Sequence, residues 1–169
     1  MKQIQKQSGV GLIEVLIAVL VLSVGFLAAA KMQISGMRYS QNAYFLSQAN
    51  FMLRDMTDRM RANPDGVEDG HYKNFTTNDA TANPACFTGG TICSPEKLAE
   101  ADLHAWSKYL YKPNGSVEFK PLLPSLGDVT AKGEINYDSV ADIYRLNVIW
   151  GEQYKGAIEE QMLSVLLKP

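Results

Sequence analysis

The chain has 169 residues, of which 46% are hydrophobic, and its formal net charge is −2. That length suits one folded domain with an appended element. A pI of about 5.7 and the lack of any basic run argue against a nucleic-acid binder, and the charge is too small for a disordered acidic tail.

Residues 1–9 are polar and basic, with Lys2 and Lys6 and no acid. From Val10 the chain reads VGLIEVLIAVLVLSVGFLAAA, and the next basic residue is Lys31. That run of about 21 residues spans roughly 31 Å as a helix, the thickness of a hydrocarbon core. The lysines before it place the N-terminus in the cytoplasm and the bulk of the chain across the membrane. Glu14 breaks the run. A carboxylate there costs about 2–3 kcal/mol on insertion scales. An ordinary secretory signal, cut behind Ala28–Ala30, has no use for such a residue, and neither has a plain signal anchor.

The string SGVGLIEVLIAVLVLS resembles the class III signal of type IV prepilins and related pseudopilins. The resemblance implies a leader, residues 1–9, that a prepilin peptidase removes between Gly9 and Val10. It implies N-methylation of the new Val10 amine. It also implies that Glu14, fifth in the mature chain, pairs with the N-terminal amine of a neighbouring subunit and sets axial register. Losing Lys2 and Lys6 lowers the formal charge to −4. Major pilins mostly begin with phenylalanine; Val10 departs from that and points to a minor subunit.

Beyond the apolar run the helical pattern continues. Phe45, Ala49, Met52, Met56 and Met60 recur at spacings of three and four, and Leu53 widens the stripe. Arg54–Asp58 and Asp55–Arg59 are i,i+4 pairs expected on the opposite side. Pro64 disfavours helix at Asn63, so the helix should end near Ala62. Helix from Val10 to Ala62 would be about 80 Å long. Its two halves divide at residue 30: an anchoring and assembly half (10–30) and an amphipathic half (31–62). Gly25 and Gly36 are weak points within it.

Residues 63–169 read as the globular head. The turn signals PDG, EDGHY, TTND and ANPA predict an irregular connection over 64–84 with a short strand. Cys86 and Cys93 close the loop CFTGGTIC. Outside the cytoplasm the pair is expected to form a disulfide, contributing roughly 2.5 kcal/mol for so short a loop. His71 and His104 stand too far from other ligand types to predict a metal site. Ser94 and Pro95 predict the start of a second helix that runs to about Tyr111. Val117–Lys120, Gly133–Tyr137, Tyr144–Trp150 and Glu159–Leu167 read as strands. The second and third form a hairpin around DSVAD, and QYKG turns the chain into the fourth. Tyr144, Leu146, Val148 and Trp150 alternate with Arg145, Asn147 and Ile149, which predicts one inward and one outward face.

The expected fold is therefore α+β and type IV pilin-like: a long N-terminal helix packed on a C-terminal antiparallel sheet, with a second short helix. The segments GVGLIEVLIAVLVLSVGFLAAAKMQ, DRMRANPDG and CSPEKLAEADLHAW resemble PilV-type minor pilins, the type IV pilus modification proteins. The resemblance covers residues 1–112. It implies a role in an inner-membrane complex of minor pilins that primes pilus assembly and ends near the pilus tip. The implied partners are other minor pilins, the major pilin, prepilin peptidase and the inner membrane, with the head in the periplasm. A type II secretion pseudopilin, an adhesin and a DNA-uptake pilin share the same N-terminus as alternatives. No nucleophile–base pair or carboxylate dyad marks an enzyme, and no cofactor, nucleic acid or small-molecule substrate is expected.

Overall fold

The computed structural model describes residues 11–79, 93–110, 120–154 and 156–169. The chain divides into two compact units, Met1–Gln41 and Asn42–Pro169. One helix, α1 (Leu12–Ala62), contributes to both. It ends at Ala62 as Pro64 demands.

The connection after α1 is more ordered than its turn signals predict. Pro64–Glu68 forms a short helix, α2. Asn63 caps it by accepting the Gly66 N–H at 3.3 Å, with Pro64 in the first turn where its missing N–H costs nothing. The letters NPDG, which signal a turn, thus also encode a cap and a first helical position. The predicted short strand is β1 (Phe75–Thr76), followed by one 3₁₀ turn at Thr77–Asp79. The second long element, α3 (Pro95–Ser107), starts at the predicted Ser94 cap, whose hydroxyl accepts the Lys97 N–H. It stops three residues before Leu110 and gives way to turns.

Three further strands complete an antiparallel sheet: β2 (Lys132–Asp138), β3 (Ile143–Tyr154) and β4 (Ala157–Leu167). They extend the predicted spans by one to four residues. The order is β1-β2-β3-β4, a simple meander. Of the first predicted strand, Val117–Lys120, residues 117–119 lie outside the described residues and Lys120 is not in a strand. The fold is α+β: among the described residues, a long helix with two shorter ones and a four-stranded sheet.

Register places Gly133 opposite Val148, Ile135 opposite Leu146, and Leu146 opposite Val165. The inward face carries Ile135, Tyr144, Leu146 and Val148, all fully buried. Against it pack Ala49, Met52, Leu53, Met56 and Met60 of α1, the predicted stripe. Trp106 of α3 fills the end of this core. Its ring would lie 2.5 Å from a Cβ at residue 133, so the sheet can carry only glycine there.

The back face of β3 differs from the expected alternation. Asn147 and Ile149, predicted outward, are buried. Nearby the segment 124–129 lies over Gly151: Pro124 O accepts the Gly151 N–H at 3.2 Å, and Leu126 crowds the space a side chain at 151 would fill. Asn147 is satisfied by the Ser164 hydroxyl at 2.7 Å. A two-residue period cannot announce this cover, because the covering segment is irregular.

Candidate functional site

Two constellations stand out, one at each end of α1. At the N-terminal end, Glu14 lies in the first helical turn with its N–H bonded to Gly11 O at 2.9 Å. A carboxylate in a first turn complements the positive end of the helix dipole. Around it the helix is apolar on every side, with a mean hydropathy of 2.7 in its most apolar stretch. It is long and apolar enough to cross a membrane, and none of that stretch is buried against the rest of the chain. Glu14 makes no ion pair among the described residues. An unpaired carboxylate on an apolar surface is costly to take out of water. Gly9 and Val10 lie outside the described residues.

At the C-terminal end a polar network fixes α3 against α1. Asp102 of α3, 6% exposed, accepts the Tyr72 hydroxyl at 2.7 Å and a guanidinium N–H of Arg59 at 3.2 Å. Arg59 also binds Asp55 at 2.9 Å, and Asp55 takes the Tyr109 hydroxyl at 3.3 Å. The Asn63 amide donates to Tyr72 Oη and to Pro95 O. Trp106 Nε1 donates to Met52 O at 3.0 Å, a bond between the two helices deep in the core. Burial, first, and then Asp102 hold the Tyr72 hydroxyl well above the ordinary tyrosine range, despite the opposing Asn63 bond. The Tyr144 hydroxyl donates to Val67 O, and burial followed by Tyr137 and Asp142 pushes its pKa up to about 12.

This network corrects one sequence expectation. Asp55–Arg59 forms as predicted but faces α3, where it shares Asp102, and is not on the solvent side. Asp58 meets Arg61 at 3.4 Å in place of Arg54. The buried face of α3 is centred on Ala99, Asp102 and Trp106, so a carboxylate holds a core position. The signal was the spacing: Asp102 lies three residues after Ala99 and four before Trp106. Charge alone assigns it to solvent.

Cys93 is not a free thiol, and Cys86, its expected partner, lies outside the described residues. His104 is partly buried in α3; His71 sits 3.9 Å from Asp69 at the surface. Among the described residues no three His, Cys, Asp or Glu side chains converge.

Residues 4–30 match the family described as the prokaryotic N-terminal methylation motif, and residues 31–104 match type IV pilin Tt1218. The chain carries a prepilin motif joined to a type IV pilin domain. The junction falls at residue 30, where the apolar run ends, and the pilin match stops within α3. The rest of the pilin head, including β2 to β4, lies beyond it. No curated protein and no solved structure matches the chain.

Proposed function

We propose that this pilin is a PilV-type minor subunit that helps start type IV pilus assembly, as part of a priming complex in the inner membrane that ends near the pilus tip. The observation that carries the assembly role is Glu14: a carboxylate on an otherwise apolar, uncovered helix. In this reading prepilin peptidase cuts between Gly9 and Val10, on the cytoplasmic side of the bilayer. The freed Val10 amine is N-methylated. Glu14 accepts the N-terminal amine of a neighbouring subunit, which offsets desolvation and fixes axial register. The four-part division at residues 9, 30 and 62 separates leader, assembly helix, amphipathic helix and periplasmic head. The departure at Val10 supports a minor subunit over a bulk one, and a Cys86–Cys93 bridge braces the loop before α3. The protein works by assembly, with no catalytic step.

Glu14→Ala should leave insertion and leader cleavage intact and reduce co-purification of other pilins from detergent-solubilised membranes at least tenfold. Unchanged co-purification would remove the proposed role. Mass spectrometry of the mature chain tests the cut: the N-terminus should be Val10, and a start after Ala30 would mean an ordinary signal peptide.

A further inference from the structure

The outward face of the sheet differs between its two ends. At one end of β3 the segment 124–129 lies over Gly151. At the other end, where β2 turns into β3, the face holds a recess of about 190 Å³. Strand register explains its lining. Asn136 stands opposite Arg145, and Arg145 opposite Leu166. Asp138 stands opposite Ile143. These positions alternate with the inward Ile135, Tyr144 and Leu146, so all five share the outward face. No motif announces the recess, because three strands supply it.

Two opposite charges line this recess without pairing. Arg145 is exposed and makes no hydrogen bond or ion pair among the described residues. Asp138 is fixed by the turn: its Oδ1 accepts the Val140 N–H at 2.9 Å and the Ala141 N–H at 3.1 Å. The Ala141 bond and then the Val140 bond hold its carboxyl below the ordinary range, and the Arg145 charge adds to them. Asp138 and Arg145 are diagonal neighbours across the two strands, roughly 7–8 Å apart at the backbone. That spacing leaves room for a small group between their ends.

We propose that this recess binds a small zwitterion of the α-amino acid type. Its carboxylate meets the Arg145 guanidinium and the Asn136 amide, and its ammonium group meets Asp138. Its side chain rests on Ile143 and Leu166. The mixed charge selects this class. A plain carboxylate would also face Asp138, and a plain amine would also face Arg145; a molecule with both charges satisfies both. In an α-amino acid the nitrogen and the carboxyl carbon lie about 2.5 Å apart, so one small molecule reaches both side chains. The volume corresponds to roughly six waters at their share of the liquid, which suits a short aliphatic amino acid. Charge-assisted bonds fix its orientation. None of the lining residues belongs to α1, so this inference does not rest on the assembly role.

L-valine is the probe. Isovalerate (valine without its amine) and isobutylamine (valine without its carboxylate) are the matched controls. Titrated onto the full chain in detergent micelles, valine should shift the backbone amide NMR signals of Ala141 and Arg145 saturably. Both controls should bind at least tenfold more weakly. Arg145→Met should abolish valine binding. Asp138→Asn keeps an oxygen for the two turn N–H groups, so it should weaken valine at least tenfold and leave isovalerate unchanged. Amide signals away from the recess should stay in place in both variants. No saturable shift, equal binding of valine and isovalerate, or valine binding that survives Arg145→Met would overturn the proposal. So would a silent valine titration with other pilins lost from Arg145→Met purifications, which would give the recess to a protein partner. Glu14→Ala should leave valine binding unchanged, so the recess and the register role can fail separately.

Discussion

The two halves of α1 are both rich in apolar residues, yet they meet opposite fates. From Leu12 to Gln41 every residue is exposed to whatever surrounds the chain. From Asn42 to Ala62 one stripe is fully buried and the remainder carries Arg54, Asp55, Asp58, Arg59 and Arg61. The difference lies in arrangement more than in hydrophobicity. An all-round apolar helix can satisfy itself only in lipid or among like helices, whereas a stripe commits the helix to one face of its own sheet. A single unbroken helix thus couples an environment outside the fold to a core inside it.

The comparison breaks most visibly in the core. Met56→Ala should destabilise the head by about 2–5 kcal/mol through lost burial and a residual cavity. Denaturant unfolding of the full chain in micelles, followed through the buried Trp106 and Trp150, reads this directly. A loss below about 1 kcal/mol would mean that the stripe is not what holds the sheet to the helix.

Next comes the polar network. Asp102→Asn should cost about 1–3 kcal/mol, because the Tyr72 hydroxyl and Arg59 guanidinium lose a charged acceptor in a buried place. Tyr72→Phe should cost about 1 kcal/mol, as it removes one bond and little volume. A double variant whose loss equals the sum of the two would show that these residues act independently, against the shared geometry.

Legibility from sequence followed the same division. The anchor, the α1 stripe, the Ser94 cap and the three long strands were readable because each follows one period or one local signal. Asp102, α2 and the buried back of β3 were not. Each depends on what another part of the chain places over it: α1 and Tyr72 over Asp102, Tyr72 and Pro95 around Asn63, the irregular 124–129 segment over Gly151. In the sequence Glu14 stands out because it contradicts its surroundings, whereas Asp102 was missed because charge outweighed its spacing.

Alkali should separate the halves in another way. Tyr72 and Tyr144 have folded-state pKa values raised above the unfolded value near 10, so their neutral forms stabilise the fold. That contribution is complete below the unfolded pKa and is lost as pH rises through the folded values. Head stability should be flat near neutrality and fall from about pH 10 upward, through the Tyr144 value of about 12. The helicity of the anchor should not follow, since no tyrosine lies between Leu12 and Arg38. A parallel loss of both signals would mean that the anchor's helix depends on the head.

The smallest effect tests the comparison from its other side. Leu22→Ala removes as much apolar surface from α1 as many core substitutions, but Leu22 is 58% exposed. Its unfolding midpoint should therefore shift by less than about 0.5 kcal/mol equivalent. On insertion scales one leucine contributes about 0.5 kcal/mol, which a run this long tolerates without leaving the membrane. If Leu22→Ala weakened the head as much as Met56→Ala, apolar content and not the burial pattern would govern α1. The two halves would then be one cooperative unit.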